Sequence, residues 1–264
     1  MNTESMPPKV WLVVPCYRES TRIGIFVRDL AAAFSDADGV RILLVEDGSG
    51  VEEQARFMTV VEPLIAGRAL FAAPLLLDQN LGKGGAVYAG WARHEGQEWL
   101  AFVDADGACS AAETRRLLSM AANASPNTAW FASRVKMLGK TVKRFLHRHL
   151  LGRVYATLVS ELLHIPVYDS QCGLKAVPRQ VWETVAPHLR QKGFAFDVEL
   201  LTVLLDGGIA VTEVPVDWTE IPGGKVRLVR DSIRMFEEVL AIRFHRRSED
   251  WRKATAKLRQ WVLG

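Results

Sequence analysis

The sequence predicts an α/β fold with a mostly parallel central sheet flanked by helices. Three observations support this: short apolar runs that end in polar loops, helical periodicity between the runs, and reactive side chains just after them. Buried strands are predicted at residues 10–14, 41–45, 69–77 (interrupted near Pro74) and 99–103. Because strands that alternate with helices form βαβ units, their carboxyl ends should meet at one edge of the sheet, where ligands bind.

Helical periodicity fills the intervals between the strands. The first interval, residues 21–34, carries Ile23, Phe26, Val27 and Leu30 at helical spacing. The same reasoning predicts the remaining elements in order: helices at 51–66, 86–95, 113–122, 140–164, 194–205, 231–245 and 251–262, strands at 128–133 and 209–216, and loops at 168–175 and 218–225. The second half of the chain is therefore less regular than the first.

The bulk composition is that of a globular protein. The chain has 264 residues, of which 49% are apolar and 24% charged, enough for one large α/β domain or two small ones. No run of eighteen apolar residues occurs, so no membrane-spanning helix is predicted, and the polar segment 1–8 lacks the apolar core of a signal peptide. Three scattered cysteines fit a reduced, cytosolic setting and form no zinc pattern.

Charge is unevenly distributed along the chain, whose net charge is +3. Residues 134–153 contain seven Lys or Arg and no acid, and residues 225–264 contain eleven Lys or Arg and five acids. The rest of the chain therefore carries a net charge of −10. Two basic segments on an acidic body indicate a local anionic partner. No aromatic–basic motif of a nucleic-acid-binding module accompanies them, so nucleic acid is not the predicted partner.

The strand at residues 99–103 ends in two carboxylates, Asp104 and Asp106. Residues two apart at the end of a strand point the same way, so these side chains could converge on one point. Two hard oxygen ligands with room for water suit Mg²⁺ or Mn²⁺, especially a cation that already carries a diphosphate. A turn with two solvated acids is the alternative that this motif leaves open.

A glycine-rich segment, residues 80–85, leads into a predicted helix and contains Lys83. A Walker-type loop would need Ser or Thr after this lysine and an upstream glycine, and both are missing. A dinucleotide-binding fingerprint is also absent after the first strand, where residues 15–19 read PCYRE. The segment could still cradle a diphosphate at a helix N-terminus, or it could be a plain turn that starts a helix.

Eight motifs occur along the chain in a recognisable order. They are VVPCYRE (13–19), EDGS (46–49), NLGKGGA (80–86), DADGA (104–108), ASR (132–134), DSQCGLK (169–175), FAFDVELL (194–201) and VPVDWTEIPGGK (214–225). The first four resemble family 2 inverting glycosyltransferases with a GT-A fold. The later four resemble the dolichyl/polyprenyl-phosphate glucosyltransferase branch. Ala108 stands where mannosyl-transferring relatives often carry a Gln, which favours the glucosyl branch.

The resemblance assigns roles to individual residues of this chain. The nucleotide-sugar is expected to contact Pro15, Tyr17, Glu19, Asp47, Lys83, Asp104 and Ala105. The acceptor phosphate is expected to contact Arg134, Arg148 and Lys225. Mg²⁺ or Mn²⁺ is expected on Asp106, with Asp104 as a second ligand or a partner of the ribose. The expected catalytic residues are Asp106, Arg134 and Asp197, the last at the position where relatives that glycosylate hydroxyls carry their base.

The resemblance implies transfer of a hexose, glucose above all, from a UDP-sugar to a polyprenyl phosphate with inversion. It predicts a polar segment at residues 1–8, a GT-A domain at 9–225 and basic amphipathic helices at 226–264. The basic segments suggest peripheral attachment to an anionic membrane surface, on its cytoplasmic face. A GDP-mannose donor, a saccharide hydroxyl acceptor and a non-catalytic nucleotide-sugar-binding scaffold stay open as alternatives.

Structural roles also stay open for several of these residues. Asp197 lies on an apolar helix and could pair with a core arginine instead of serving as a base. Arg148 could line a solvated helix face. Trp251 and Trp261 could pack against the domain instead of contacting lipid.

Overall fold

The computed structural model describes residues 9–35, 38–143, 146–166, 168–221 and 228–263. The predicted N-terminal segment 1–8 and the predicted acceptor contact Lys225 lie outside these residues. Arg148 lies within a described helix, but its side chain is outside the description.

Strands and helices alternate along the chain, as the periodicity predicts. The strands are β1 (Val10–Cys16), β2 (Val40–Glu46), β3 (Leu75–Leu76), β4 (Trp99–Val103), β5 (Thr128–Ser133), β6 (Val142–Lys143), β7 (Leu174–Pro178), β8 (Ala210–Pro215) and β9 (Trp218–Thr219). The helices are α1 (Ile23–Ala33), α2 (Val51–Ile65), α3 (Lys83–Trp91), α4 (Ala111–Ala122), α5 (Leu146–Leu163), α6 (Arg179–Val185), α7 (Phe196–Asp206), α8 (Leu228–His245) and α9 (Glu249–Leu263).

Within the described residues, seven strands form one sheet in the order β3-β2-β1-β4-β7-β5-β8. The neighbouring strands β1, β2, β3 and β4 pair in parallel, and β5 pairs in parallel with β8. The strand β7 runs antiparallel to both β4 and β5. Lys175 is in register with Phe102 on one side and with Phe131 on the other, so β4 and β5 point the same way. Residues after β1, β2, β4 and β5 consequently share one edge, called here the carboxyl edge. The predicted α/β architecture is confirmed.

Several predicted elements differ from the structure, among them the loops at 168–175 and 218–225, the helix at 140–164 and the strand at 69–77, which is reduced to Leu75–Leu76. Residues 174 and 175 begin β7, where a loop is predicted, because β7 fills the gap between β4 and β5. The helix predicted from residue 140 begins at Leu146, because Val142 and Lys143 pair with Trp218 and Thr219 as the β6–β9 ribbon. Short apolar stretches that carry a lysine give weak periodic signals, and only pairing with distant strands decides their structure.

Apolar side chains cover both faces of the sheet. On one face, α1, α2 and α4 enclose a core that includes Leu12, Val14 and Ile42. On the other, α3, α6, α7 and the C-terminal helices enclose a second core around Trp91 and Phe102. Parallel strands buried on both faces read as continuous apolar runs, which explains why β1, β2 and β4 were predictable.

The C-terminal helices pack on the second core. Trp251, Ala254 and Leu258 of α9 are buried there, and Trp261 Nε1 donates to Gln180 Oε1 at 3.2 Å. Gln180 lies two residues after Pro178, the last residue of β7. Pro178 is in register with Trp99, the first residue of β4, so Gln180 lies at the end of the sheet where β4 begins. The helix α9 therefore lies toward the sheet edge opposite the carboxyl edge. No helix among the described residues combines the length and the apolar character needed to cross a membrane.

Candidate active site

Two carboxylates stand at the end of β4, where the sequence places them. The amide of Asp104 donates to Gly173 O at 2.8 Å, and a Cβ at position 173 would collide with Asp104 Oδ2. The side chain of Asp104 is one-third exposed, at 33%. Gly173, directly before β7, therefore leaves the space that the Asp104 carboxylate occupies.

Asp106 is half-buried, as Asp104 is. Burial and the neighbouring Asp104 charge raise the pKa of Asp106, and Lys83 and Arg22 partly oppose them. The Ala108 amide donates to Asp106 Oδ1 at 3.0 Å, whereas Oδ2 accepts no hydrogen bond from the described residues. A carboxylate with one oxygen fixed and the other open is suited to bind a cation.

Lys83 connects the glycine-rich loop to these carboxylates. As the first residue of α3, it brings its Nζ to 2.6 Å from Asp104 Oδ1 and 5.5 Å from the centroid of the Phe102 ring. Burial by itself would lower the pKa of Lys83, but the charges of Asp104, Asp197 and Asp106 outweigh it and raise the pKa. Lys83 is therefore a permanent cation at the carboxyl edge.

The first amides of α3 are already bonded to protein. The amide of Gly84 donates to Gly193 O at 3.3 Å, and that of Gly85 donates to Lys192 O at 3.0 Å. A Cβ at position 84 would also collide with Phe196. These two amides are therefore bonded within the protein, whereas the Lys83 side chain extends toward the carboxylates. Whether the segment cradles a diphosphate or is a plain turn that starts a helix stays a prediction.

The loop that caps α3 is held from α7 and α8. Glu199 of α7 accepts hydrogen bonds from the amides of Arg190 and Gln191 at 2.8 and 2.7 Å. Glu238 of α8 accepts one from the Ala195 amide at 3.0 Å. The C-terminal helix α8 therefore helps to place the start of α3 and with it Lys83.

Asp47, at the end of β2, holds the other side of the glycine-rich loop. Its Oδ1 accepts a hydrogen bond from the Leu81 amide at 2.7 Å, and its Oδ2 accepts one from Asn80 Nδ2 at 3.1 Å. Burial, together with the charge of Glu46, raises the pKa of Asp47 to about 6 against the loop amides that lower it. Both oxygens thus fix the loop, and contact with a base is an additional role that the resemblance predicts.

The remaining predicted nucleotide contacts lie after β1 and β4. Pro15 and Tyr17 are half-buried, and Arg18 lies 5.2 Å from the centroid of the Tyr17 ring. Glu19 is buried and forms an ion pair with Arg22, whose charge also acts on Asp106. Ala105, which stands between Asp104 and Asp106 in the sequence, is buried. The chain thus gathers these positions at the carboxyl edge.

Asp197 is buried at the start of α7, with 2% of its side chain exposed. Its partner is Lys175, a wholly buried lysine whose Nζ lies 3.1 Å from Asp197 Oδ2 and donates to Cys172 O at 2.6 Å. Among the residues that the structure describes, Asp197 Oδ1 has no hydrogen-bond partner. Burial raises the pKa of Asp197 in spite of the opposing charges of Lys175 and Lys83. The core cation that pairs with Asp197 is therefore a lysine, not the arginine that the sequence suggested.

Arg134 follows β5 directly and forms a bidentate pair with Asp169. Its Nε and Nη2 lie 2.6 and 2.7 Å from the two oxygens of Asp169. Burial by itself would raise the pKa of Asp169, but the Arg134 guanidinium holds that pKa well below its usual range. Nη1 of Arg134 makes no hydrogen bond to the described residues, and the guanidinium lies 5.5 Å from the Trp218 ring centroid. The Nη1 edge of the guanidinium is therefore the part that has no partner among the described residues.

The structure thus brings Lys83, Asp104, Asp106 and Asp197 into one electrostatic cluster, with Arg134 within reach of Asp104. Sequence reasoning missed Lys175 and Asp169 as partners. A lysine inside an apolar stretch was the one signal for Lys175, and the pairing of Asp169 across 35 residues left no local signal. Among the described residues, no group of three or more His, Cys, Asp or Glu side chains could hold a metal, so a cation on Asp104 and Asp106 needs further ligands.

Comparison with known families gives one match across the sheet. Residues 11–185 match the model described as Glycosyl transferase family 2. The matched segment is about two thirds of the chain and contains β1 to β7, hence both carboxylates of the β4 end, Lys83 and Arg134.

Similar curated proteins extend over most of the chain. The dolichyl-phosphate beta-glucosyltransferase of Saccharomyces cerevisiae is 29% identical over 245 residues, which cover 88% of this chain and 73% of the relative. The human protein of the same name is 27% identical and covers 93% and 80%. A polyprenol monophosphomannose synthase of Mycolicibacterium smegmatis is 28% identical and covers 84% and 82%.

Solved structures share the fold at low sequence identity. Glucosyl-3-phosphoglycerate synthase from Mycobacterium tuberculosis in complex with UDP superposes with a TM-score of 0.65 at 15% identity, covering 90% of this chain and 80% of that one. The same enzyme with Mn²⁺, UDP and glucosyl-3-phosphoglycerate gives a TM-score of 0.64 at 14% identity, covering 89% and 78%. This likeness concerns the architecture.

Proposed function

The chain belongs to glycosyl transferase family 2, and from this membership we propose that it transfers glucose from UDP-glucose to a polyprenyl phosphate with inversion at the anomeric carbon. The names of the yeast and human relatives support glucose and a dolichyl-phosphate acceptor. The observation that carries the choice of acceptor is the buried ion pair between Lys175 and Asp197. A hydroxyl acceptor would need Asp197 as its base, and in this pair the carboxylate is already bound to the lysine.

The proposed reaction moves one sugar between two anions. An oxygen of the acceptor phosphate forms a bond to the anomeric carbon on the face opposite the nucleotide, and the bond from that carbon to the diphosphate oxygen breaks. The nucleotide diphosphate leaves with the electron pair. A phosphate monoester has a second pKa of about 6, so the nucleophile is already largely dianionic at neutral pH and needs no base.

Two cations of the chain could offset the negative charges that this reaction brings together on the donor and the acceptor. We assign the neutralisation of the leaving diphosphate to Lys83, because Asp104 holds its ammonium at the carboxyl edge. We assign the acceptor phosphate to the Nη1 edge of Arg134, whose guanidinium is held in a fixed orientation by Asp169. Two fixed cations would lower the repulsion between the anionic donor and the anionic nucleophile.

The two carboxylates after β4 also fit a divalent cation. Asp106 has an open oxygen and Asp104 stands beside it, and Mg²⁺ or Mn²⁺ commonly takes one or two carboxylates and completes its shell with phosphate oxygens and water. Such an ion would stabilise negative charge on the leaving diphosphate. The M. tuberculosis structure with Mn²⁺ and UDP is consistent with this choice of ligand for a protein of the same architecture.

A mannosyl donor is the second candidate. It is favoured by the similarity to a polyprenol monophosphomannose synthase. A panel of UDP-glucose, UDP-galactose, UDP-N-acetylglucosamine and GDP-mannose, each with polyprenyl phosphate and Mg²⁺ or Mn²⁺, separates the two. We expect UDP-glucose to give the highest kcat/KM, about tenfold or more above the others. A preference for GDP-mannose would contradict the proposal.

We expect the variant Asp197→Asn to keep transfer to polyprenyl phosphate within about tenfold of the wild type. The reason is that the nucleophile carries no proton to remove, whereas loss of a general base costs typically about 10²–10⁴-fold. Asparagine is nearly isosteric and its amide oxygen can still accept from Lys175. Turnover per folded molecule, with a saccharide and polyprenyl phosphate compared as acceptors, measures the effect. A loss of a hundredfold or more would favour a hydroxyl acceptor.

Membrane attachment is part of the proposal. The acceptor is a lipid, so the carboxyl edge has to meet a bilayer surface, and the sequence from 134 to 153 carries seven cations and no acid. Each well-placed cation contributes about 1 kcal/mol of attraction to an anionic leaflet. This supports a peripheral protein on the cytoplasmic face of a membrane.

A further inference from the structure

An exposed apolar turn projects at the carboxyl edge, between β5 and β6. The Lys140 amide donates to Met137 O at 3.1 Å, and Gly139 has a φ of 81°, as a tight turn of this kind requires. Leu138 at the tip is 100% exposed and Met137 is 51% exposed. This loop, residues 135–140, is called here the tip loop.

Both ends of the tip loop are anchored, so the apolar tip is presented and not merely loose. Before it, Arg134 is fixed by Asp169. After it, Lys140 Nζ lies 2.8 Å from Glu113 Oε1 of α4, and the Thr141 amide donates to Asp217. Two exposed apolar side chains on an anchored turn are not stabilised by burial within the protein, which indicates an apolar contact outside it.

The tip loop lies beside the proposed catalytic groups. The β6–β9 ribbon that follows it is joined to the β4 loop, because the Thr219 amide donates to Ala108 O at 3.0 Å. Ala108 is two residues from Asp106 and itself donates to that carboxylate. A surface contacted by the tip would therefore lie next to the place where the acceptor phosphate has to enter.

The charge around the tip favours an anionic surface. Lys136 and Lys143 are exposed, and neither forms an ion pair with any described residue. Lys140 does not add to this charge, because Glu113 and Asp217 neutralise it. Leucine and methionine between two lysines that pair with no described acid are the composition of a segment that enters the headgroup region of an anionic bilayer.

The helix α9 is less suited to this contact. Its apolar residues Trp251, Ala254 and Leu258 are buried in the core, and the helix lies toward the opposite edge of the sheet. Its exposed Leu263 therefore provides a control of matched chemistry at a distant place.

We propose that the tip loop inserts Met137 and Leu138 into the surface of an anionic bilayer and so orients the carboxyl edge toward the lipid acceptor. The inference rests on the proposed function for the identity of that lipid. The insertion itself stands on exposure, anchoring and charge, and it is testable without the transfer reaction.

Flotation of the purified full chain with phosphatidylcholine vesicles, with and without phosphatidylglycerol, tests the contact. We expect the wild type to bind the anionic vesicles and Leu138→Asp to bind them at least about tenfold more weakly, since an apolar contact is lost and a repulsive charge gained. Leu138→Trp should bind at least as tightly as the wild type. Leu263→Asp should bind like the wild type.

Three results would overturn the inference: no binding of the wild type to anionic vesicles, equal binding of Leu138→Asp, or an equal loss in Leu263→Asp. The first would point to an apolar protein partner instead of a bilayer. Transfer to a short, water-soluble prenyl phosphate separates this inference from the proposed function. Leu138→Asp should retain that transfer. If the wild type shows no transfer but the vesicle results are as expected, the proposed function is refuted and the proposed membrane contact of the tip loop is retained.

Discussion

The variant Asp106→Asn should lose about a hundredfold to a thousandfold in kcat, or more, under conditions where the wild type turns over UDP-glucose. Removal of one group that stabilises charge in the transition state typically costs about 10²–10³-fold. Asp106 is the carboxylate with an open oxygen, and asparagine keeps its size and its bond to the Ala108 amide while removing the charge that holds a cation. Steady-state kinetics across a titration of Mn²⁺ measures the loss.

The shape of the metal titration identifies the cause. If Asp106 holds the cation, the variant should need a higher Mn²⁺ concentration for half-maximal turnover as well as showing a lower kcat. Asp29→Asn, on the exposed face of α1, is the matched control and should behave like the wild type. Wild-type kinetics in Asp106→Asn, at any Mn²⁺ concentration, would contradict the assignment of this residue.

The carboxyl edge was predictable because each of its parts is local. β1, β2 and β4 are continuous apolar runs, and each is followed at once by side chains of the site. Strand periodicity and parallel topology together therefore place Asp47, Asp104 and Asp106 at one edge. No knowledge of long-range contacts was needed for this step.

The partners of these residues were not predictable in the same way. Arg134 meets Asp169 only because β7 inserts between β4 and β5, and the start of α3 is capped by a loop that Glu238 holds from α8. Each contact joins segments far apart in sequence, and neither leaves a periodic or spacing signal. The same reason explains why the bonds from the amides of Gly84 and Gly85 to Gly193 O and Lys192 O could not be predicted.

The variant Lys175→Met should be less stable than the wild type by about 3–5 kcal/mol in the free energy of unfolding. Lys175 is wholly buried, and its loss leaves the Asp197 carboxylate buried with neither oxygen paired to any described residue. Removal of one partner is the costly way to break a buried ion pair. Methionine fills a similar volume, and the contacts of the lysine with the Phe102 and Phe131 rings can be kept by an apolar chain. Urea denaturation measures the change.

A second variant separates the ion pair from packing. Lys175→Met combined with Asp197→Asn removes both charges, so it should recover much of the lost stability, with a coupling energy of about 1–3 kcal/mol. Lys257→Met, on the exposed face of α9, is the control and should change the stability by less than about 0.5 kcal/mol.

A loss below about 1 kcal/mol in Lys175→Met would mean that Asp197 is already protonated in the folded protein. In that case Asp197 would be neutral in the absence of Lys175 as well, and burial alone would keep it from acting as a base.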